Sequence, residues 1–112
     1  MKVQDYRALQ AKAMSERQLQ DQVIALAERM GFIVYHTHDS RRSQKGFPDL
    51  VLVHPKQRRV LWRELKSESG ALRPDQKKWL LALQTAGEDA ELWRPRDWFA
   101  GTIENELRNS KC

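Results

Sequence analysis

Cysteine is almost absent from this chain of 112 residues: the single one, Cys112, is the last residue. An internal disulfide and any cysteine-built zinc site are therefore excluded, and a reducing compartment fits. Long apolar runs are lacking too. No uninterrupted stretch approaches the roughly 20 residues that span a bilayer, and the first residues carry no apolar signal-peptide core. The expectation is a cytoplasmic protein with no membrane partner. No internal repeat and no low-complexity linker divides the sequence, and its length suits one domain with one core. Acidic residues are the minority charge, 15 Asp plus Glu against 20 Lys plus Arg, for a net charge of +5. That surplus favours an acidic partner such as nucleic acid or an anionic membrane surface, but many basic proteins bind neither.

Residues 1–14 are polar, with a weak helical pattern in Val3, Tyr6, Leu9 and Ala13, and read as an N-terminal extension, a loose helix or an arm for a partner. The remainder, 15–112, reads as a single domain. Ser15 and Gln18 have capping-box spacing, and Leu19, Val23, Leu26, Ala27 and Met30 recur at helical intervals until Gly31. Phe32 to His36 is rich in β-branched and aromatic residues and predicts a strand. A polar, basic loop follows over 37–46. Asp49 to Val53 and Val60 to Lys66 predict two strands around a turn-like HPKQRR segment. Pro74 opens a helix carrying Trp79, Leu80 and Leu83 that ends near Gly87. Ala90 to Trp93 is a short strand, and Pro95 opens a last amphipathic helix with Trp98, Phe99, Ile103 and Leu107. The order αβββαβα, with its middle strands joined too tightly for a parallel crossover, predicts an α/β fold. Its sheet would be mixed and four-stranded, flanked by helices, with an extra C-terminal helix.

The chemistry lies in that hairpin. If its turn is symmetric about Lys56-Gln57, Val53 faces Val60, Leu52 faces Leu61 and Asp49 faces Glu64. Opposed residues of an antiparallel pair have Cβ atoms about 4.5–5.5 Å apart on one face. Lys66, two residues past Glu64, shares that face. Two facing carboxylates repel, and a divalent cation such as Mg²⁺, bound through one or two carboxylates plus water and phosphate, removes the repulsion. Lys66 would then orient or deprotonate an attacking water, or stabilise charge on a phosphodiester; the Leu65 carbonyl is a further oxygen for the metal. Either half alone has a plain explanation, Asp49 as a turn cap and Glu-x-Lys as a solvated edge pair. Together, each ends an apolar run and their register brings them face to face.

On SERQLQ, GFPDLVLV, RELK and RPDQKKWLLALQTAG, spanning Ser15 to about Arg94, the sequence resembles the PD-(D/E)xK, or restriction-endonuclease-like, nuclease superfamily, and more closely its VRR-NUC branch. The resemblance implies a restriction-endonuclease-like αβββαβ core and a Mg²⁺- or Mn²⁺-dependent deoxyribonuclease with no organic cofactor, bacterial or phage-encoded. By position it implies Asp49 and Glu64 as metal ligands, Lys66 as the catalytic lysine and Glu16 as an additional acid beside the metal. Gln20, one turn after Glu16, and Gln76 match site-supporting glutamines. It further implies a homodimer acting on four-way junctions or other branched DNA, with the last helix or the N-terminal arm as interface. A nuclease fold that binds without cutting is the alternative, and a basic scaffold for a protein partner is a third reading.

For DNA contact, Arg41, Arg42 and Lys45 precede the site directly, and Arg73 and Lys77 flank Gln76; cations there grip phosphates irrespective of sequence. Lys56, Arg58 and Arg59 crowd the far turn, where solvation explains them. His36, His38 and His54 lack a third ligand nearby and read as ordinary polar contacts. Arg63, between Leu61 and Leu65, sits where a buried face is expected, and is read as snorkelling outward or meeting DNA. The four tryptophans occupy apolar positions and read as core or interface.

Overall fold

The computed structural model describes residues 2–37 and 44–108. The order is α1 (Val3–Ala13), α2 (Glu16–Arg29), β1 (Ile33–His36), β2 (Leu50–His54), β3 (Arg59–Leu65), α3 (Pro74–Thr85), β4 (Asp89–Trp93), α4 (Pro95–Phe99) and α5 (Thr102–Arg108). The predicted capping box opens α2: the Gln18 backbone N–H donates to Ser15 Oγ at 3.0 Å and the Ser15 N–H to Gln18 Oε1 at 2.9 Å. Leu19, Val23 and Ala27 then form a fully buried stripe.

The sheet runs β1-β2-β3-β4, with β1/β2 and β2/β3 antiparallel and β3/β4 parallel. The mixed four-stranded sheet flanked by helices is thus as the sequence predicts. So is the hairpin register, with Val53 opposite Val60, Leu52 opposite Leu61 and Leu50 opposite Arg63. On one face, Leu50, Leu52, Leu61 and Leu65 pack with the α2 stripe, Phe32, Trp93, Ile103 and Leu107 as the core. Each such leucine withdrawn from water contributes about 1.5–3 kcal/mol before entropy is counted.

Three expectations change. The last helix is two, because Gly101 takes φ +80° after Ala100 and ends α4, so the chain turns before α5 begins. Its Ile103 and Leu107 are buried in this chain's own core, which removes their face as an interface between copies. The N-terminal stretch is a regular helix that packs on α4 through Ala11, while Val3, Tyr6 and Leu9 stay exposed.

Arg63 is the third, being neither outward nor available to DNA: it is 1% exposed. Its Nη2 donates to Asp89 Oδ1 at 2.9 Å and Glu106 Oε1 at 3.1 Å, and its Nη1 to the carbonyls of Trp62 at 3.0 Å and Asp89 at 2.6 Å. The guanidinium also lies 4.7 Å from the Trp93 ring centroid. A planar fork can be buried when two carboxylates match its charge and both terminal nitrogens are used; the buried Nε alone has no partner among the described residues.

His54 has the structural role its position suggested. Its Nδ1 accepts from the Gln57 N–H at 3.1 Å, so the proton sits on Nε2 and is donated to the Met30 carbonyl at 2.9 Å. It thereby ties the end of β2 to the end of α2.

Candidate active site

Asp49 immediately precedes β2, and Glu64 and Leu65 close β3, so the hairpin register alone brings them together. The contact is explicit at one backbone group. The Leu65 N–H donates to Asp49 Oδ2 at 2.8 Å and, more weakly, to Glu64 Oε1 at 3.3 Å. Glu64 is 1% exposed, and its Oε2 is buried with no hydrogen-bond partner. Burial first, and the Asp49 carboxylate second, push its pKa up to about 9, with Lys66 and the Leu65 N–H pulling the other way. Keeping Glu64 protonated avoids setting a second negative charge against the Asp49 side chain in a small volume.

Two further groups reach the pair. Glu16, the first residue of α2, lies in the field of Asp49, Lys66 and Arg73. Its pKa is raised by burial and then by Asp49, against the opposing pull of Lys66 and Arg73. Lys66 follows β3 and is held by its backbone N–H on the Trp93 carbonyl at 3.2 Å. Asp49, Glu64 and Lys66 therefore lie together, with Glu16 and Arg73 within electrostatic reach of them.

The glutamines sit differently. Gln76 is buried, and its Oε1 accepts the Arg73 N–H at 2.9 Å, closing the start of α3. Gln20 lines a groove of about 420 Å³ with Arg17, Asp21, Glu28, His36 and Thr37, along α2 and the end of β1. Of the cationic residues, Lys45, Arg73 and Lys77 are exposed, and Arg73 pairs with Asp75 at 3.4 Å. Arg41 and Arg42, like His38, lie outside the described residues.

The loop carrying Asp49 is fixed by contacts that the sequence did not announce. Gly46 has φ +83°, and a Cβ there would lie 2.4 Å from the Asp75 backbone oxygen, so the loop packs on α3 only with glycine. Phe47 meets Trp79 edge to face with ring centroids 5.1 Å apart, and Trp62 at 6.1 Å. The Trp79 indole N–H donates to the Lys45 carbonyl at 3.1 Å, and Pro48 is fully buried. On the Lys66 side, Arg94 Nη1 donates to the carbonyls of Ser67 at 2.7 Å, Glu68 at 3.3 Å and Gly70 at 2.7 Å, holding the turn after the lysine. Arg94 is distant in sequence and carries no motif, so nothing in the sequence pointed to this bracing.

The oxygens of Asp49 and Glu64 form a hard donor set with one buried, unsatisfied atom. Among the described residues there is no group of three or more His, Cys, Asp or Glu side chains spaced to hold a metal. Two carboxylates with one oxygen buried and without a partner suit an ion that takes one or two carboxylates and would complete its shell with water and phosphate.

The family model of the VRR-NUC domain matches residues 2–97, which includes α1 as well as the whole sheet. No curated protein and no solved structure matches the chain. No helix of the described residues is long and apolar enough to cross a membrane.

Proposed function

Because this chain belongs to the VRR-NUC domain family, a nuclease family of the restriction-endonuclease-like superfamily, we propose that it is a Mg²⁺- or Mn²⁺-dependent DNA endonuclease. The observation that carries this is the pair of carboxylates, half-buried Asp49 and buried Glu64, meeting at one backbone N–H with Lys66 next to them. In this reading Asp49 and Glu64 hold the ion, with Glu16 at the outer side and the Leu65 carbonyl as a further oxygen. A bound divalent cation lowers the pKa of water and offsets charge building on the scissile phosphate.

The chain's own groups supply the rest. The Leu65 N–H holds Asp49 Oδ2 in place, and Glu64 would have to release its proton to solvent before it could ligate a cation. Lys66, fixed by the Trp93 carbonyl and the Arg94-braced turn, orients the water or stabilises the phosphoryl oxygens as a point charge. Gln76 keeps Arg73 and the start of α3 in position beside Glu16. Lys45, Arg73 and Lys77, with Arg41 and Arg42, grip flanking phosphates, a salt-sensitive contribution without base preference.

Branched DNA is the favoured substrate and a homodimer the favoured state, since paired sites suit symmetrical cutting of a four-way junction. Exposed Val3, Tyr6 and Leu9 on α1 support a contact between copies there. The test is a panel of labelled linear, flap and four-way DNA with and without Mg²⁺ or Mn²⁺. Metal-dependent cleavage that is lost in Asp49→Ala and Lys66→Ala supports the proposal. Cleavage of none of them, or wild-type rates in those variants, sinks it.

A further inference from the structure

A groove of about 290 Å³ beside the Asp49 loop is lined by Gln44, Lys45, Asp75, Lys78, Trp79 and Ala82. Trp79 and Ala82 give it an apolar floor on α3. Lys45 and Lys78 stand exposed at its rim. Because the indole N–H is turned inward to the Lys45 carbonyl, it is the carbon surface of Trp79 that borders the groove. Asp75 is the one acid present; its Oδ1 is within 3.4 Å of Arg73 Nε, and its buried Oδ2 has no hydrogen-bond partner.

An aromatic floor between two ammonium groups matches a nucleotide with its base exposed, stacked by the ring while the lysines take the adjoining phosphates. A base paired within duplex DNA has no open face to offer, so the fit is to an unpaired nucleotide. The place is apt. Lys45 is four residues before Asp49, so the chain allows at most about 14 Å between their Cα atoms, a span of roughly four nucleotide steps along a strand.

We propose that this groove is a subsite for an unpaired nucleotide of the substrate strand, stacked on Trp79 and held by Lys45 and Lys78. It rests on the nuclease reading and deepens it, because a subsite for an unpaired base a few nucleotides from the cut selects strand branches and gaps over uninterrupted duplex.

The test uses the full chain in EDTA, with oligodeoxycytidylate as the probe and tryptophan fluorescence quenching as the readout. Wild type binds with quenching, Trp79→Phe loses most of the quenching, and Lys78→Glu and Ala82→Glu weaken binding about tenfold. Both glutamates replace exposed helical residues away from Phe47 and Asp49, so circular dichroism and melting stay at wild-type values. Full quenching in Trp79→Phe, or wild-type binding in both glutamate variants, overturns the subsite. A second arm compares Mg²⁺-dependent cutting of a gapped and a fully paired duplex. Lys78→Glu and Ala82→Glu are expected to slow the gapped substrate selectively, and equal slowing of both overturns the proposal. If wild type cuts neither, the nuclease reading fails while the quenching arm still decides the groove.

Discussion

Arg63 and Glu64 are neighbours on β3, point to opposite faces of the sheet, and are each 1% exposed. Their surroundings could hardly differ more. Arg63 meets two carboxylates, two carbonyls and an aromatic face, so its charge is matched and nearly all its donors are used. Glu64 meets another carboxylate, keeps one oxygen without a partner and holds its proton to about pH 9. A buried charge matched by opposite charges belongs to the fold, whereas a buried acid set against a second acid is poised for a ligand. The proline-led loop and the Arg94-braced turn surround the second site, not the first.

The comparison predicts that damage separates by face. Lys66→Ala is expected to lower kcat by about 10²–10⁴-fold while leaving the unfolding midpoint in place; single-turnover cleavage with parallel urea melts checks both. Comparable loss of stability would mean that the lysine is structural. On the other face, Arg63→Ala should cost about 3–5 kcal/mol of stability, since Asp89 and Glu106 lose their buried partner. A urea midpoint within error of wild type would erase the distinction between the two sites.

Glu64→Gln sharpens the contrast through pH. Below the ordinary carboxylate pKa of 4.5, Glu64 is protonated in folded and unfolded chains alike, and its contribution to the stability of the metal-free fold is fully present. As pH rises, the unfolded chain ionises first while the folded one holds its proton up to about 9, so stability declines across that window. The glutamine variant should flatten this decline and lose the Mg²⁺ stabilisation that the proposed metal site predicts for wild type, both read from melting curves at several pH values. A wild-type slope in the variant would place the titration elsewhere.

Gly46→Ala should cost about 1–3 kcal/mol, because its Cβ would meet the Asp75 backbone and its positive φ strains an L residue. Activity is expected to fall further than that stability loss alone explains, since the loop carries Asp49. Tyr6→Glu is the mildest: monomer stability should move by no more than about 0.5 kcal/mol, while light scattering shows a shift from dimer to monomer. An unchanged mass would remove α1 from the contact between copies.

The hairpin was legible because its turn length and the two-residue side-chain period leave one register that buries Leu50, Leu52 and Leu61 together. That register carries Asp49 to Glu64 without further help. The α2 cap was legible for the same local reason. Arg63 was not, because its partners Asp89 and Glu106 come from β4 and α5, and no pattern near residue 63 names them. The division of the last helix was also missed: its apolar spacing continues past Gly101, and only the backbone conformation there interrupts it. Gln20 and Gln76 share one chemistry in sequence, yet the fold uses Gln76 to close a helix and leaves Gln20 beside a different groove.

Sequence alone determined what local geometry can fix: the order of elements, the facing carboxylates, and the lysine two residues beyond. Periodicity and turn length act over a few residues and survive whatever the rest of the chain does. Tertiary structure decided which charges are satisfied. It brought Glu16 to the pair from another helix, and set Arg94 behind Lys66 and Asp75 against Gly46. It also left one oxygen of Glu64 without a partner. Those outcomes depend on contacts between residues remote in sequence, where burial sets the energy of each polar group.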